Sequence, residues 1–108
     1  MQLKRILLVE RDPQMLCGLL IRLQNLYAVS AVRSTEAALE MAPETYDAVV
    51  IEPAVAAREG GDFRLALDAR LASVPVIVSP RDAAEGVDDG LEWTIARAVH
   101  DSKFVPPT

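Results

Sequence analysis

Five residues of this chain combine a useful side chain with a telling position: Glu10, Arg11, Asp12, Glu52 and Ser79. Three are carboxylates, one is a guanidinium and one a hydroxyl, so together they offer charge and oxygen ligands. Each sits just behind a short apolar run: Ile6-Leu7-Leu8-Val9, Ala48-Val49-Val50-Ile51 or Val74-Pro75-Val76-Ile77-Val78. Covalent catalysis has less to work with. The single cysteine, Cys17, excludes an internal disulfide framework and a cysteine metal cage. The single histidine, His100, leaves no pair for zinc and argues against a Ser-His-Asp triad. No G-x-G-x-x-G or G-x-x-x-x-G-K-S/T follows the first run, and no nucleophile–base pair is evident.

The elements that must position these groups follow from the apolar pattern. Ile6–Val9 has no polar alternation, which reads as a strand buried on both faces, as in a parallel sheet. Asp12-Pro13 then opens a helix, with Asp as the N-cap and Pro at its first position. Met15, Leu16, Leu19, Leu20, Leu23 and Leu26 recur on one helical face. Residues 27–32 form a second strand, weaker and more polar, which suits a sheet edge. Ser34 caps a helix running to about Met41, with Glu36 near its positive end and Pro43 beyond its stop. Residues 48–51 are a third buried strand. A polar stretch ending in Glu59-Gly60-Gly61 then leads to a third helix, striped by Phe63, Leu65 or Ala66, Leu67 and Leu71. Residues 74–78 are a fourth strand.

The order βαβαβαβ with connections of this length predicts parallel strands joined by right-handed crossovers. The expected fold is therefore an open parallel α/β sheet between two helical layers. Its 108 residues make one domain, and 51% hydrophobic content is enough to fill a core. A net charge of −5 argues against direct nucleic-acid or anionic-membrane binding by this segment. No apolar run reaches a membrane span, and the four apolar residues after Lys4-Arg5 are too few for a signal-peptide core. The expected location is the cytoplasm.

In such a sheet, functional groups collect beyond the carboxyl ends of the strands, where the five residues would meet. That constellation resembles the CheY-like receiver domain of bacterial response regulators, over about residues 3–79. Residues 6–13 look like the family's opening strand and acidic pair. Tyr46-Asp47-Ala48-Val49-Val50-Ile51-Glu52 is similar to its phosphoacceptor strand, and Pro75-Val76-Ile77-Val78-Ser79 to the strand ending in its Ser/Thr switch. The resemblance implies a flavodoxin-like three-layer fold. It also implies a site in which an aspartate takes a phosphoryl group from a histidine kinase. In that family two acidic residues help hold Mg²⁺, while the hydroxyl and a lysine bind the phosphoryl oxygens.

Three parts of that site are altered. Glu52 stands at the phosphoacceptor position, one methylene longer than aspartate, and misplacements near 1 Å can cost about a hundredfold in rate. Glu10-Arg11 replaces two carboxylates, so a cation sits where Mg²⁺ would bind and repels it. Asp12 could compensate, but it equally suits the helix cap. No Lys-Pro pair follows a fifth strand. The expectation is a pseudo-receiver without metal or other cofactor, in which Arg11 pairs with Glu52. Only retention of the acidic site would make Glu10, Asp12 and Glu52 Mg²⁺ ligands.

Several residues also have plain readings. Ser79 before Pro80 reads as a turn residue as well as the switch position, and Glu52 as a solvated strand-end carboxylate. Cys17 and Met15 read as packing, and His100 as a surface residue near a helix end. Trp93 suits either core or interface. Residues 81–90 read as a loop, and Leu91, Ile95, Ala98 and Val99 as an amphipathic helix. Either the fourth helix and fifth strand are missing and this helix is the family's last, or it is the fourth and Phe104-Val105 a remnant fifth strand. The spacing favours the first reading. The domain is expected over residues 1–105, with 106–108 its edge or the start of a linker.

The function expected is non-enzymatic: signal transduction or transcriptional regulation through a protein partner or effector domain. A homodimer is allowed, because a shortened sheet would expose apolar surface and a strand edge. The alternatives are a working phosphoacceptor receiver with an atypical site and a small α/β enzyme or nucleotide-binding domain.

Overall fold

The computed structural model describes residues 3–70, 74–79 and 95–99. The elements are β1 (Arg5–Val9), α1 (Pro13–Leu23), β2 (Ala28–Val32), α2 (Thr35–Glu40), β3 (Ala48–Ile51), α3 (Pro53–Ala69) and β4 (Val76–Val78), with a 3₁₀ turn at Pro43–Thr45 before β3. The four strands form one parallel sheet in the order β2-β1-β3-β4. The polar second strand lies at an edge, and the two uninterrupted apolar runs lie in the middle. Because β1 is flanked on both sides, Ile6, Leu7, Leu8 and Val9 are fully buried.

Strand alternation sorts the core into two layers. Ile6 and Leu8 of β1, with Ala48 and Val50 of β3, pack against Leu19 and Leu23 of α1. Leu7, Val9, Val49 and Ile51 face the other way, toward Ala38 of α2 and Val55, Phe63 and Leu67 of α3. This is the three-layer α/β architecture expected.

Local chemistry explains the helix starts. The Asp12 carboxylate accepts from the Gln14 N–H at 2.9 Å, and Pro13 follows at the first helical position. The Ser34 hydroxyl oxygen accepts from the Ala37 N–H at 3.0 Å. Ala42 adopts a left-handed conformation, φ 55°, where the chain turns into Pro43.

The third helix departs from expectation. Instead of starting after Gly61, it begins at Pro53 and runs unbroken for 17 residues through Gly60 and Gly61. The buried sequence Val55, Phe63, Leu67 holds one face to the sheet across the glycines, so packing overrides their poor helix propensity. The Leu65-or-Ala66 alternative resolves toward Ala66, since Leu65 is 67% exposed. Leu26, expected on the apolar face of α1, lies beyond the helix end and is half exposed.

Residues 95–99 are helical, and Ile95 and Val99 are buried in the layer that contains Leu19 and Leu23. A right-handed crossover from β4 to a further strand beyond it would lie on the α2/α3 face. The α1 face instead marks this segment as a helix closing the other layer, as the first reading of the chain's end requires. The expectations for Leu71, Pro80, residues 81–90, Leu91, Trp93, His100 and residues 101–108, and with them the domain's C-terminal limit, lie outside the described residues.

Candidate functional site

Glu10, Glu52 and Ser79 each stand one residue beyond a strand, and a staircase of backbone hydrogen bonds fixes them there. The Glu10 N–H donates to Val32 O at 3.0 Å, the Glu52 N–H to Val9 O at 3.0 Å and the Ser79 N–H to Ile51 O at 2.9 Å. The sheet thus brings the ends of β1, β3 and β4 side by side, as the sequence predicts.

Glu10 is the unusual member, a carboxylate only 2% exposed. Its Oε1 accepts from the Asp12 N–H at 3.2 Å, while Oε2 is buried without a hydrogen-bond partner. Burial pushes its pKa above the ordinary carboxylate value. The Asp12 N–H opposes that shift, and the negative charges of Glu52 and Asp12 add to it.

Glu52 is half-buried and engaged. Its Oε1 accepts from the Val55 N–H at 2.5 Å, which makes Glu52 the N-cap of α3. Ser79 is buried, at 4% exposure.

Arg11 does not pair with Glu52. It is exposed, with no ion pair between the two residues among those described. Its carbonyl accepts from the Arg33 guanidinium at 2.9 Å. Arg11 lines an open depression together with Asp12, Arg33, Ser34, Glu36 and Glu59. The reason is local: Glu10 occupies the buried position, and the chain leaves the sheet through Arg11 to reach the cap at Asp12.

Among the described residues no three acidic or other ligating side chains converge closely enough to hold a metal ion. Asp12 faces solvent as a helix cap, and one Glu52 oxygen is committed to Val55.

Two neighbours of the site were not singled out from sequence. Arg33 directly follows β2, and the rule that flags residues after parallel strands would have found it. Glu59 on α3 accepts from the Thr35 hydroxyl at 2.6 Å, tying the start of α2 to the middle of α3. No local sequence signal connects residues so far apart.

No protein-family model matches this chain. No curated protein matches it in sequence. Solved structures do. One, a fusion carrying the trimeric coiled coil of yeast Spc42 joined to another structure, aligns with TM-score 0.70 and 19% identity over 95% of this chain and 85% of that one. Another, the solution structure of a response regulator protein from Burkholderia multivorans, aligns with TM-score 0.50 and 22% identity over 88% of this chain and 96% of that one. The likeness is one of fold. The chain has a receiver-like, flavodoxin-like α/β architecture, and among the described residues no helix is long and apolar enough to cross a membrane.

Proposed function

We propose that this domain is a pseudo-receiver, a non-enzymatic signalling module that acts through contacts with a protein partner or effector domain and not through phosphorylation. The observation that carries the reading is the Glu52 cap. The carboxylate at the end of β3, where a receiver accepts phosphate, holds the first turn of α3 instead. The burial of Glu10, whose Oε2 has no hydrogen-bond partner, supports the same reading. So does Arg11, which is exposed and makes no ion pair with Glu52 among the described residues, and so does not stand in for the metal. The reading therefore rests on the cap and on the buried Glu10, not on an arginine pair. A cytoplasmic location, and a role in transcriptional control, belong to this proposal.

The test is whether the domain responds to the reagents that drive ordinary receivers. Amide NMR spectra recorded with and without acetyl phosphate and Mg²⁺ should superimpose. Shifts starting at residues 10–12, 52 and 79 and spreading into α3 would replace this reading with that of a working receiver.

A further inference from the structure

On the β2 side of β1, the carboxyl end of the sheet carries the depression of about 860 Å³ lined by Arg11, Asp12, Arg33, Ser34, Glu36 and Glu59. It lies across β1 from Glu52 and Ser79, which follow β3 and β4. Two cations there stand without a counter-charge. The Arg33 guanidinium donates to Arg11 O at 2.9 Å, which brings it to the root of the Arg11 side chain. Neither arginine is in an ion pair among the described residues. Cations that share a depression repel, and the nearby carboxylates do not relieve them. Asp12 Oδ1 caps α1, and Glu59 Oε1 accepts from the Thr35 hydroxyl at 2.6 Å. Ser34 adds a donor: its oxygen accepts from the Ala37 N–H, which leaves the hydroxyl hydrogen for another acceptor.

We propose that the depression binds a small phosphate monoester with free hydroxyl groups, a sugar phosphate or a nucleotide. The phosphate lies against Arg11, Arg33 and the Ser34 hydroxyl, and the ligand's hydroxyl groups donate to Glu36 and Glu59. Guanidinium forks match phosphate oxygens in geometry and charge. In dinucleotide-binding α/β folds an acidic residue takes ribose hydroxyls, and an arginine nearby takes a sugar-borne phosphate. Arg33, directly after β2, with Glu36 three residues on, offers both groups. The carboxylates decide what else the ligand must carry. They outnumber the guanidiniums three to two, so a bare phosphate gains little, whereas hydroxyl groups give them hydrogens to accept. The volume suits a ligand of this size. The site goes beyond the pseudo-receiver reading and does not depend on it, since the phosphate is held noncovalently and away from Glu52.

The test is an amide NMR titration of the full chain at low salt with ribose 5-phosphate, to about 10 mM. Saturable shifts should centre on residues 11, 12, 33–36 and 59, with a Kd of about 1 mM or lower, and leave residues 52 and 79 unmoved. Inorganic phosphate, acetyl phosphate and ribose should each bind at least about tenfold more weakly, which keeps this test separate from that of Glu52. Adenosine 5′-monophosphate distinguishes the two sources: tighter binding than ribose 5-phosphate marks a nucleotide site, equal or weaker binding a sugar-phosphate site. Arg11→Ala and Arg33→Ala should each weaken binding at least about tenfold. Arg58→Ala removes the same charge from an exposed position on α3 outside the depression and should change binding by less than about twofold. No saturable shift with either ester would overturn the proposal. So would equal losses in all three variants, or inorganic phosphate binding as tightly as ribose 5-phosphate, because charge alone would then account for the binding.

Discussion

The Glu52 carboxylate accepts the Val55 backbone N–H at 2.5 Å, so the acidic group at the end of β3 is the N-cap of α3. A helix start leaves several N–H groups unsatisfied, and a side-chain oxygen that takes one stabilises the helix. Glu52→Ala should lower stability by about 0.5–2 kcal/mol in chemical denaturation. Glu52→Asp should recover most of that loss, because aspartate is a stronger cap. If Glu52 were a solvated carboxylate, neither substitution would register.

Glu10 gives stability a pH dependence of definite sign. Its folded-state pKa is raised above the unfolded value, chiefly by burial, so the folded protein holds the proton more tightly. The stabilisation is complete below the unfolded pKa and declines as pH rises through the folded one. Glu10→Gln, which keeps the shape without the charge, should flatten that decline and be the more stable form above it. Urea midpoints at a series of pH values from about 4 upward provide the measurement.

Arg11 and Glu52 should be uncoupled. Arg11 is exposed and makes no ion pair with Glu52 among the described residues, so Arg11→Ala should change stability by no more than about 0.5 kcal/mol. A double-mutant cycle of Arg11→Ala with Glu52→Gln should close to within about 0.5 kcal/mol. A larger coupling would return the arginine to the acidic site.

Gly61 lies inside α3 with open space where a Cβ would project. Gly61→Ala should therefore stabilise the domain by about 0.5–1 kcal/mol, by removing the conformational freedom of glycine from the unfolded chain. Destabilisation on thermal unfolding would mean that the helix does not run through this point.

Thr35 donates to Glu59 at 2.6 Å in a partly buried setting, a hydrogen bond to a charged acceptor. Removing the hydroxyl by Thr35→Val should cost about 1.5–3 kcal/mol. The loss should shrink when Glu59 is already Gln, and denaturation of the four proteins of the cycle would measure the difference.

The parts of the fold legible in sequence are those carried by local signals. Ile6–Val9 and Ala48–Ile51 were readable as central strands because burial on both faces leaves no polar alternation, and Asp12-Pro13 and Ser34 announce helix starts through capping chemistry. Gly60-Gly61 misled for the opposite reason: the local preference is for a break, while Phe63 and Leu67 anchor the helix through contacts that adjacent residues do not encode. At the site, strand ends announced Glu10, Glu52 and Ser79. Which oxygen caps a helix, and which side an arginine takes, depends on the path of the chain after the strand.

The central claim is that Glu52 serves the fold and accepts no phosphate. Intact-mass spectrometry after incubation with acetyl phosphate and Mg²⁺ tests it most directly. The account predicts an unmodified mass for the wild type. A stoichiometric phosphoryl adduct that disappears in Glu52→Gln would contradict it.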